Sequence, residues 1–404
     1  MARRLRSMDP GDDVVTLHVT LSGDVFLKSR RTQKKLISRV RNNMGDALSR
    51  EETPATIDRI GTHRYRVASQ AAAAALVVER LRRVFGVASI DRVEEVPYTT
   101  LEALAASVAT HQAQRVAGST FAVRARRRGS HDWRTPDLAV LAGRLLVEAG
   151  GTVDLVSPQV TVNVTVLDDR AYLVTDHVRG AGGLPLGTQE RSLCLLSGGF
   201  DSVVAAWMVM SRGSPVDFVH FSLNCAQSDH ALAVARELWD GWGAGSQPTV
   251  HLVEFQPVKD ALFAEVDSHM RQITLKVMMA QAASAIAEES STLALVTGDS
   301  LGQVSSQTLP HLTAVSEATT MPILRPLVGM AKEDIIDRAR AIGTAEISAR
   351  AREMCDLSEG QPVATAARRR QIDRSTERVP KAVLADAVAT RKTFKLADWS
   401  PGQM

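Results

Sequence analysis

The chain has 404 residues, enough for two or three domains at roughly 150 residues each, with sizeable hydrophobic cores. Hydrophobic residues make up 45% and charged residues 23%, a globular balance that excludes disordered and fibrous classes. The net charge of +3 is unevenly spread: residues 1–189 carry 27 Lys and Arg against 20 Asp and Glu, and residues 190–404 carry 21 against 25. That split suggests a polyanion-binding front half joined to something else. The longest apolar run, Ala71 to Val78, is far shorter than the ~18 residues of a membrane span. The basic start runs into an acidic stretch with no apolar core, so neither a membrane partner nor a secretory signal is expected. Three widely spaced cysteines exclude a disulfide framework and point to a reducing, cytoplasmic setting. Aromatics are only 4%, so a nucleic-acid grip should rest on phosphates and shape rather than base stacking.

Val14 to Leu21 alternates and predicts a strand. Lys28 to Leu48 predicts a helix with Leu36, Ile37, Val40 and Met44 as its apolar stripe; Arg30, Arg31, Lys34 and Lys35 lie on the other face, either solvated or on nucleic acid. A strand near His63 to Val67 and an alanine-rich helix from Ala68 to Val84 complete a strand–helix–strand–helix unit. Around Phe121 to Trp133, a strand would send Phe121, Val123 and Ala125 to one face and Arg124 and Arg126 to the other, with Arg127 and Arg128 at its end. Guanidiniums this dense repel one another unless an anion lies between them, which favours phosphate binding over a merely solvated edge. A helix Asp137–Ala149 and strands Val160–Leu167 and Ala171–His177 follow, and the glycine- and proline-rich stretch 180–187 reads as a domain joint.

Beyond the joint, strands alternate with helices, which predicts a parallel sheet. The strands are Leu193–Leu196, Val216–Ser222, Thr249–Phe255 and Leu293–Thr297. The helices are at about Asp201–Arg212, His230–Trp242, Arg271–Glu289 and Lys332–Ile342, with a helical tail at Val379–Leu396.

Ser197, Gly198, Gly199, Phe200, Asp201 and Ser202 sit between the first of these strands and its helix. Two glycines let backbone approach an anion, and the amides and dipole of the helix N-terminus hold it. Asp201 is placed to hold Mg²⁺ on that anion. No lysine follows the glycines, so this is not a Walker A loop; the shape suits the departing pyrophosphate of ATP. The bland alternative is a glycine turn of any strand–helix unit.

Ser-Gly-Gly-Phe-Asp-Ser resembles the PP-loop of ATP pyrophosphatases, and Phe-Ala-Val-Arg-Ala-Arg-Arg-Arg-Gly resembles the core of a THUMP domain. With Gly182 to Gln189 before the loop and Thr297 to Thr308 after it, residues 13 to 375 are similar to the tRNA 4-thiouridine synthetases (tRNA uridine sulfurtransferases). The resemblance implies a mixed α/β and α+β multidomain fold. Its parts would be an N-terminal ferredoxin-like domain (1–70), a THUMP RNA-binding domain (71–178) and a PP-loop domain with a parallel sheet (179–404). It implies an enzyme that adenylates uridine 8 of tRNA at O4 and replaces the oxygen with sulfur. In such a domain the adenosine would lie on Leu195, Leu196, His220 and Phe221 at the ends of the first two strands. Lys276 matches a lysine that reaches ATP, Gln307 a further ATP contact, and Lys332 a lysine that stabilises charge at the α-phosphate. Gly298 closes the fourth strand, where a side chain would block the nucleotide.

Cys355, between Arg352 and Asp356, matches the family's redox-active cysteine. Long family members carry a rhodanese domain bearing the persulfide, and none is expected here; the Cys-x-x-Cys pair of cluster-dependent relatives does not occur in the sequence, so no iron–sulfur cluster is expected. The expected sulfur donor is a cysteine desulfurase. Cys225, after the second strand, is either a small loop residue or the thiol that resolves the Cys355 persulfide, and Cys194 is read as core. The resemblance also allows sulfur donation for thiamine thiazole through a sulfur-carrier protein, and a homodimer. The competing functions are a PP-loop adenylator with a nitrogen nucleophile and a non-catalytic RNA-binding protein.

Overall fold

The computed structural model describes residues 13–96, 98–223, 228–351, 357 and 363–402. These form two compact units. The first comprises residues up to 21, 48–82 and 87–180; the second comprises 22–47, 83–86 and 181 onward.

In chain order the front half runs β1 (Val14–Leu21), α1 (Arg30–Ser49), β2 (Ala55–Ile60), β3 (Arg64–Gln70), α2 (Ala74–Arg82), β4 (Val87–Val96), α3 (Leu101–Val116), β5 (Thr120–Arg128), α4 (Thr135–Glu148), β6 (Thr152–Val153), β7 (Val160–Leu167) and β8 (Arg170–Arg179). One sheet of order β2-β3-β1-β4-β8-β7-β5-β6 runs through the first unit. All its pairs are antiparallel except those of β5 with β6 and β7. The residues expected to form one short strand–helix repeat thus include two further strands, β2 and β4, and the alanine-rich helix shortens to α2. The cause is the alternation that runs on to Gln70: β3 is buried at every second residue, so sheet pairing takes 68–70 before helix propensity can act.

Most of α1 belongs to the second unit, although it lies near the start of the chain. The Asn43 amide donates to the Leu186 carbonyl at 3.0 Å, and Asp46 accepts from the Gly245 N–H at 2.8 Å. Residues 83–86 join the same unit because Phe85 packs on Trp207 and Trp242, each at 5.7 Å between ring centroids.

The second unit continues with β9 (Ser192–Leu195), α5 (Phe200–Met210), β10 (Val216–Ser222), α6 (Ser228–Trp242), β11 (Thr249–Glu254), α7 (Gln256–Glu265), α8 (Ser268–Glu289), β12 (Leu295–Val296), α9 (Leu309–Glu317), β13 (Ile323–Leu324), α10 (Lys332–Ile342), α11 (Ala345–Ser348), α12 (Arg369–Arg378), α13 (Lys381–Ala389) and β14 (Lys392–Lys395). Its sheet has the order β13-β12-β9-β10-β11-β14. The first five strands are parallel, as the alternating pattern implies. Every residue of β10 is buried, as befits a strand covered on both faces. The expected helical tail 379–396 is corrected: it breaks after α13, and Lys392–Lys395 pairs antiparallel with β11. Phe394 turns inward to join a hydrophobic cluster while its neighbours stay exposed, an alternation that suits a strand. The strand expected at 293–297 contracts to two residues.

The order reverses between β9 and β12, which run from the centre of the sheet toward opposite edges. Ligands of open parallel sheets bind at the carboxyl end of that switch point. No described helix is long and apolar enough to cross a membrane.

Candidate nucleotide and RNA sites

From Leu195 the chain turns through Leu196 to Gly199 into α5. Gly198 has φ +81°, and a Cβ there would stand 3.0 Å from both Ala231 Cα and the His230 ring, so glycine meets a conformational and a steric demand together. The Ser197 N–H donates to Ser202 Oγ at 3.2 Å, the two hydroxyls lie 3.1 Å apart, and the Gly199 N–H donates to Ser197 Oγ at 3.3 Å. The serines therefore shape the loop that leads into the first turn of α5, and the free amides and dipole of a helix N-terminus make it a candidate anion seat.

Asp201 stands in that first turn. Lys332, first residue of α10, donates to its two carboxylate oxygens at 2.7 and 3.0 Å, and the Gln303 amide donates to Oδ2 at 2.9 Å. The structure thus joins two expected site residues 131 positions apart and adds a third, Gln303. Gly298 lies against the same turn: a Cβ would fall 2.6 Å from the Asp201 carbonyl carbon and 2.7 Å from the Ser202 nitrogen. Backbone of α5 is thus one constraint on Gly298, additional to the nucleotide clash expected from sequence.

A second hub adjoins the first. Asp299 is 7% exposed and accepts from Thr297 Oγ1 at 2.7 Å, Lys276 Nζ at 3.3 Å and Arg325 Nε at 3.3 Å. Burial alone would raise its pKa, but Lys276, Thr297 and Arg325 outweigh that and hold it below the usual carboxylate range. Lys276 is therefore a cation paired with Asp299 beside the end of β12. Gln307 is buried, and its Oε1, like that of Gln303, has no hydrogen-bond partner among the described residues. His311 holds this loop: its Nδ1 lies 2.9 Å from the Ser305 carbonyl and its Nε2 accepts from the Ala367 N–H at 3.2 Å. That pair of contacts fixes a neutral ring, and burial lowers its pKa.

At the ends of the first two strands, His220 Nδ1 lies 2.8 Å from the Leu196 carbonyl and burial lowers its pKa, so it is a neutral donor. Leu195 is opposite Val219 in the sheet. Phe221 turns into the core on Phe255, with ring centroids 4.6 Å apart. Cys194 is fully buried, its thiol pushed up to about 12 by burial, and is structural as expected. Cys225 and Cys355 lie outside the described residues.

Sequence reasoning passed over Asp299, Gln303 and Arg325. A signal existed for the first two, a polar cluster directly after an apolar strand; Arg325 becomes a partner only through the fold.

In the first unit, β5 places Arg124, Arg126 and Arg128 on one exposed face. They do not crowd together: Arg124 donates to the Leu155 carbonyl at 2.6 Å, Arg128 lies against Gly61, and Arg127 turns to the other side, 5.7 Å above the Trp133 ring. Within the second unit, Arg30, Arg31, Lys34 and Lys35 of α1 are all exposed.

A lysine-free glycine loop at the switch point of a parallel sheet, with a carboxylate in the first helical turn, defines an α/β domain of the PP-loop class. Residues 187–380 match the family model described as thiamine biosynthesis protein (ThiI), and residues 98–176 match the THUMP domain. The tRNA sulfurtransferase of Desulfurococcus amylolyticus is 36% identical over 346 residues, covering 85% of this chain and 71% of that protein. The tRNA sulfurtransferase of Erwinia tasmaniensis is 37% identical over 352 residues, covering 86% and 73%. The chain belongs to the tRNA sulfurtransferase (ThiI) family. The solved structure of a 4-thiouridine synthetase–RNA complex with bound ATP shares the fold, with a TM-score of 0.79, 24% identity, and coverage of 94% of this chain and 99% of that one.

Proposed function

We propose that this chain uses ATP to place sulfur on a uridine of tRNA, forming 4-thiouridine. The observation that carries the reading is the convergence of Asp201, Lys332 and Gln303 on the anion seat at the start of α5. A carbonyl oxygen does not leave unaided. Attack of uridine O4 on the α-phosphorus of ATP releases pyrophosphate and makes an adenylate, whose AMP then departs readily. The α5 amides would hold the pyrophosphate and Lys332 the charge that develops at the α-phosphorus. Magnesium would neutralise phosphate charge; Asp201 would be its protein contact.

Sulfur would arrive as a persulfide on Cys355, loaded by a cysteine desulfurase. Its terminal sulfur attacks C4 as AMP leaves. A second thiol, for which Cys225 is the candidate, then attacks Cys355 Sγ, freeing thiouridine and leaving a disulfide that a dithiol reductant reopens. Exposed Arg126 and Arg128, with the basic face of α1, supply phosphate contacts for tRNA. The domain limits 1–70, 71–178 and 179–404 stand as a proposal beside the two compact units.

The test is thionucleoside analysis of tRNA incubated with protein, ATP, Mg²⁺ and a desulfurase–cysteine system. Wild type should make 4-thiouridine with AMP and pyrophosphate. Asp201→Ala should make none, and Cys355→Ser should retain AMP formation without thiolation. An absence of tRNA-dependent AMP release by wild type would overturn the reading.

A further inference from the structure

Among the described residues the Asp201 carboxylate has three side-chain donor contacts, and two come from Lys332. If Lys332 serves the α-phosphate, it must leave the carboxylate as nucleotide binds, because a triphosphate oxygen is the more highly charged partner. The Gln303 amide, 2.9 Å from Oδ2, is then the remaining side-chain donor among these contacts. Gln303 is well braced for the task. It follows Gly302 in the left-handed region at φ +77°, the Gly302 N–H donates to the Gln307 carbonyl at 2.9 Å, and the Gln307 N–H donates to the Val304 carbonyl at 2.9 Å.

A neutral amide also suits the position chemically. A second ammonium would compete with a metal for Asp201, and a second carboxylate would repel it. The other end of the amide, Oε1, is buried without a donor among the described residues, a costly arrangement in a resting chain. Water in the shell of a nucleotide-bound cation is a donor of the right kind. Among the described residues no three His, Cys, Asp or Glu side chains cluster into a metal cage. One carboxylate beside an amide oxygen fits a magnesium ion that brings phosphate and water ligands with it.

We propose that Gln303 is a positioning residue, holding Asp201 toward the magnesium of bound Mg·ATP after Lys332 has moved to phosphate. The inference rests on the ATP reading above. Titration calorimetry of ATP into the full chain, with Mg²⁺ and separately with EDTA, tests it. Gln303→Met keeps volume and removes the donor; it should weaken Mg·ATP binding about tenfold, the range of one charge-assisted hydrogen bond, and leave metal-free ATP within about twofold. Should the Met variant fail to fold, Gln303→Asn, whose amide falls one methylene short of Asp201, carries the same expectation. Equal weakening in both conditions means a packing role and overturns the proposal, as does no weakening in either. If wild type itself takes up no ATP, the functional reading fails instead.

Discussion

The two sheets offer anions different kinds of surface. In the first unit the pairing is mostly antiparallel and burial alternates along β3, while the far end of β5 alternates exposed with half-buried residues. One face can then carry charge, and guanidiniums project from it. In the second unit β10 is buried at every residue, so neither face is free and the polar chemistry moves to the strand ends. There the candidate anion seat is backbone: glycines, helix amides, and side chains brought in by neighbouring loops. The difference separates a surface that can lose one arginine at modest cost from a site in which each atom is over-determined.

The sharpest break in that comparison is at the over-determined end. Asp201→Ala removes the shared partner of Lys332 and Gln303; AMP formation should fall by at least about 100-fold, in the range of a preorganised electrostatic group, while tRNA retention on filters stays within about twofold. Gly298→Ala should be nearly as damaging by a steric route. Its methyl would press on the Asp201 and Ser202 backbone, and the helix start must shift at a cost of about 1–3 kcal/mol. Differential scanning fluorimetry with and without ATP should show a lowered Tm and a lost ligand shift.

Acid stability sharpens the comparison differently. His18 in β1 is buried and packs edge-on against Tyr172, and its pKa is pushed down to about 4, first by burial and then by Arg64. His251 in β11 is also pushed down to about 4, by burial and then by Arg391. Between pH 6.5 and 4 the unfolded chain takes up protons that these folded imidazoles refuse. Stability is therefore complete above the unfolded value and falls as pH drops through that window. Each histidine accounts for at most about 3 kcal/mol. His18→Phe keeps a ring of similar shape and should flatten the decline in urea midpoint between pH 6.5 and 4; an unchanged slope would show that His18 titrates normally. Asp299 acts in a separate, lower window, because its depressed pKa delays protonation until the pH is below the usual carboxylate range.

Much of this was legible because local signals and the fold agreed. The parallel strands, the glycine turn and the alternation in β5 each follow from spacing within a few residues. Two kinds of feature were not legible. One is the assignment of α1 and 83–86 to the second unit, which depends on Asn43 reaching Leu186 and on Phe85 reaching Trp207, contacts across more than a hundred positions. The other is the pairing of Asp201 with Lys332 and of Asp299 with Arg325. Charge pairs joined by a fold leave no periodic trace, so sequence marked Asp201 and Lys332 singly without their partnership, and marked neither Asp299 nor Arg325. The terminal strand β14 failed for a further reason: four residues are too few for alternation to outweigh the helical pattern before them.

The arginines of β5 are the mildest probe and the most discriminating. Arg126 and Arg128 are exposed on one face, whereas Arg127 stacks over Trp133. If the face grips tRNA phosphates, Arg126→Gln with Arg128→Gln should weaken tRNA binding about three- to tenfold and lower the salt exponent by about one per lost contact, leaving ATP affinity unchanged. Arg127→Gln should behave otherwise. It removes a cation–π contact worth about 1 kcal/mol, so thermal stability should fall while the salt exponent stays put. Equal effects from all three substitutions would mean that general charge, rather than the geometry of one strand face, governs RNA binding here. The first unit would then be a diffuse basic surface, and the contrast with the precisely built second unit would be greater than the fold alone implies.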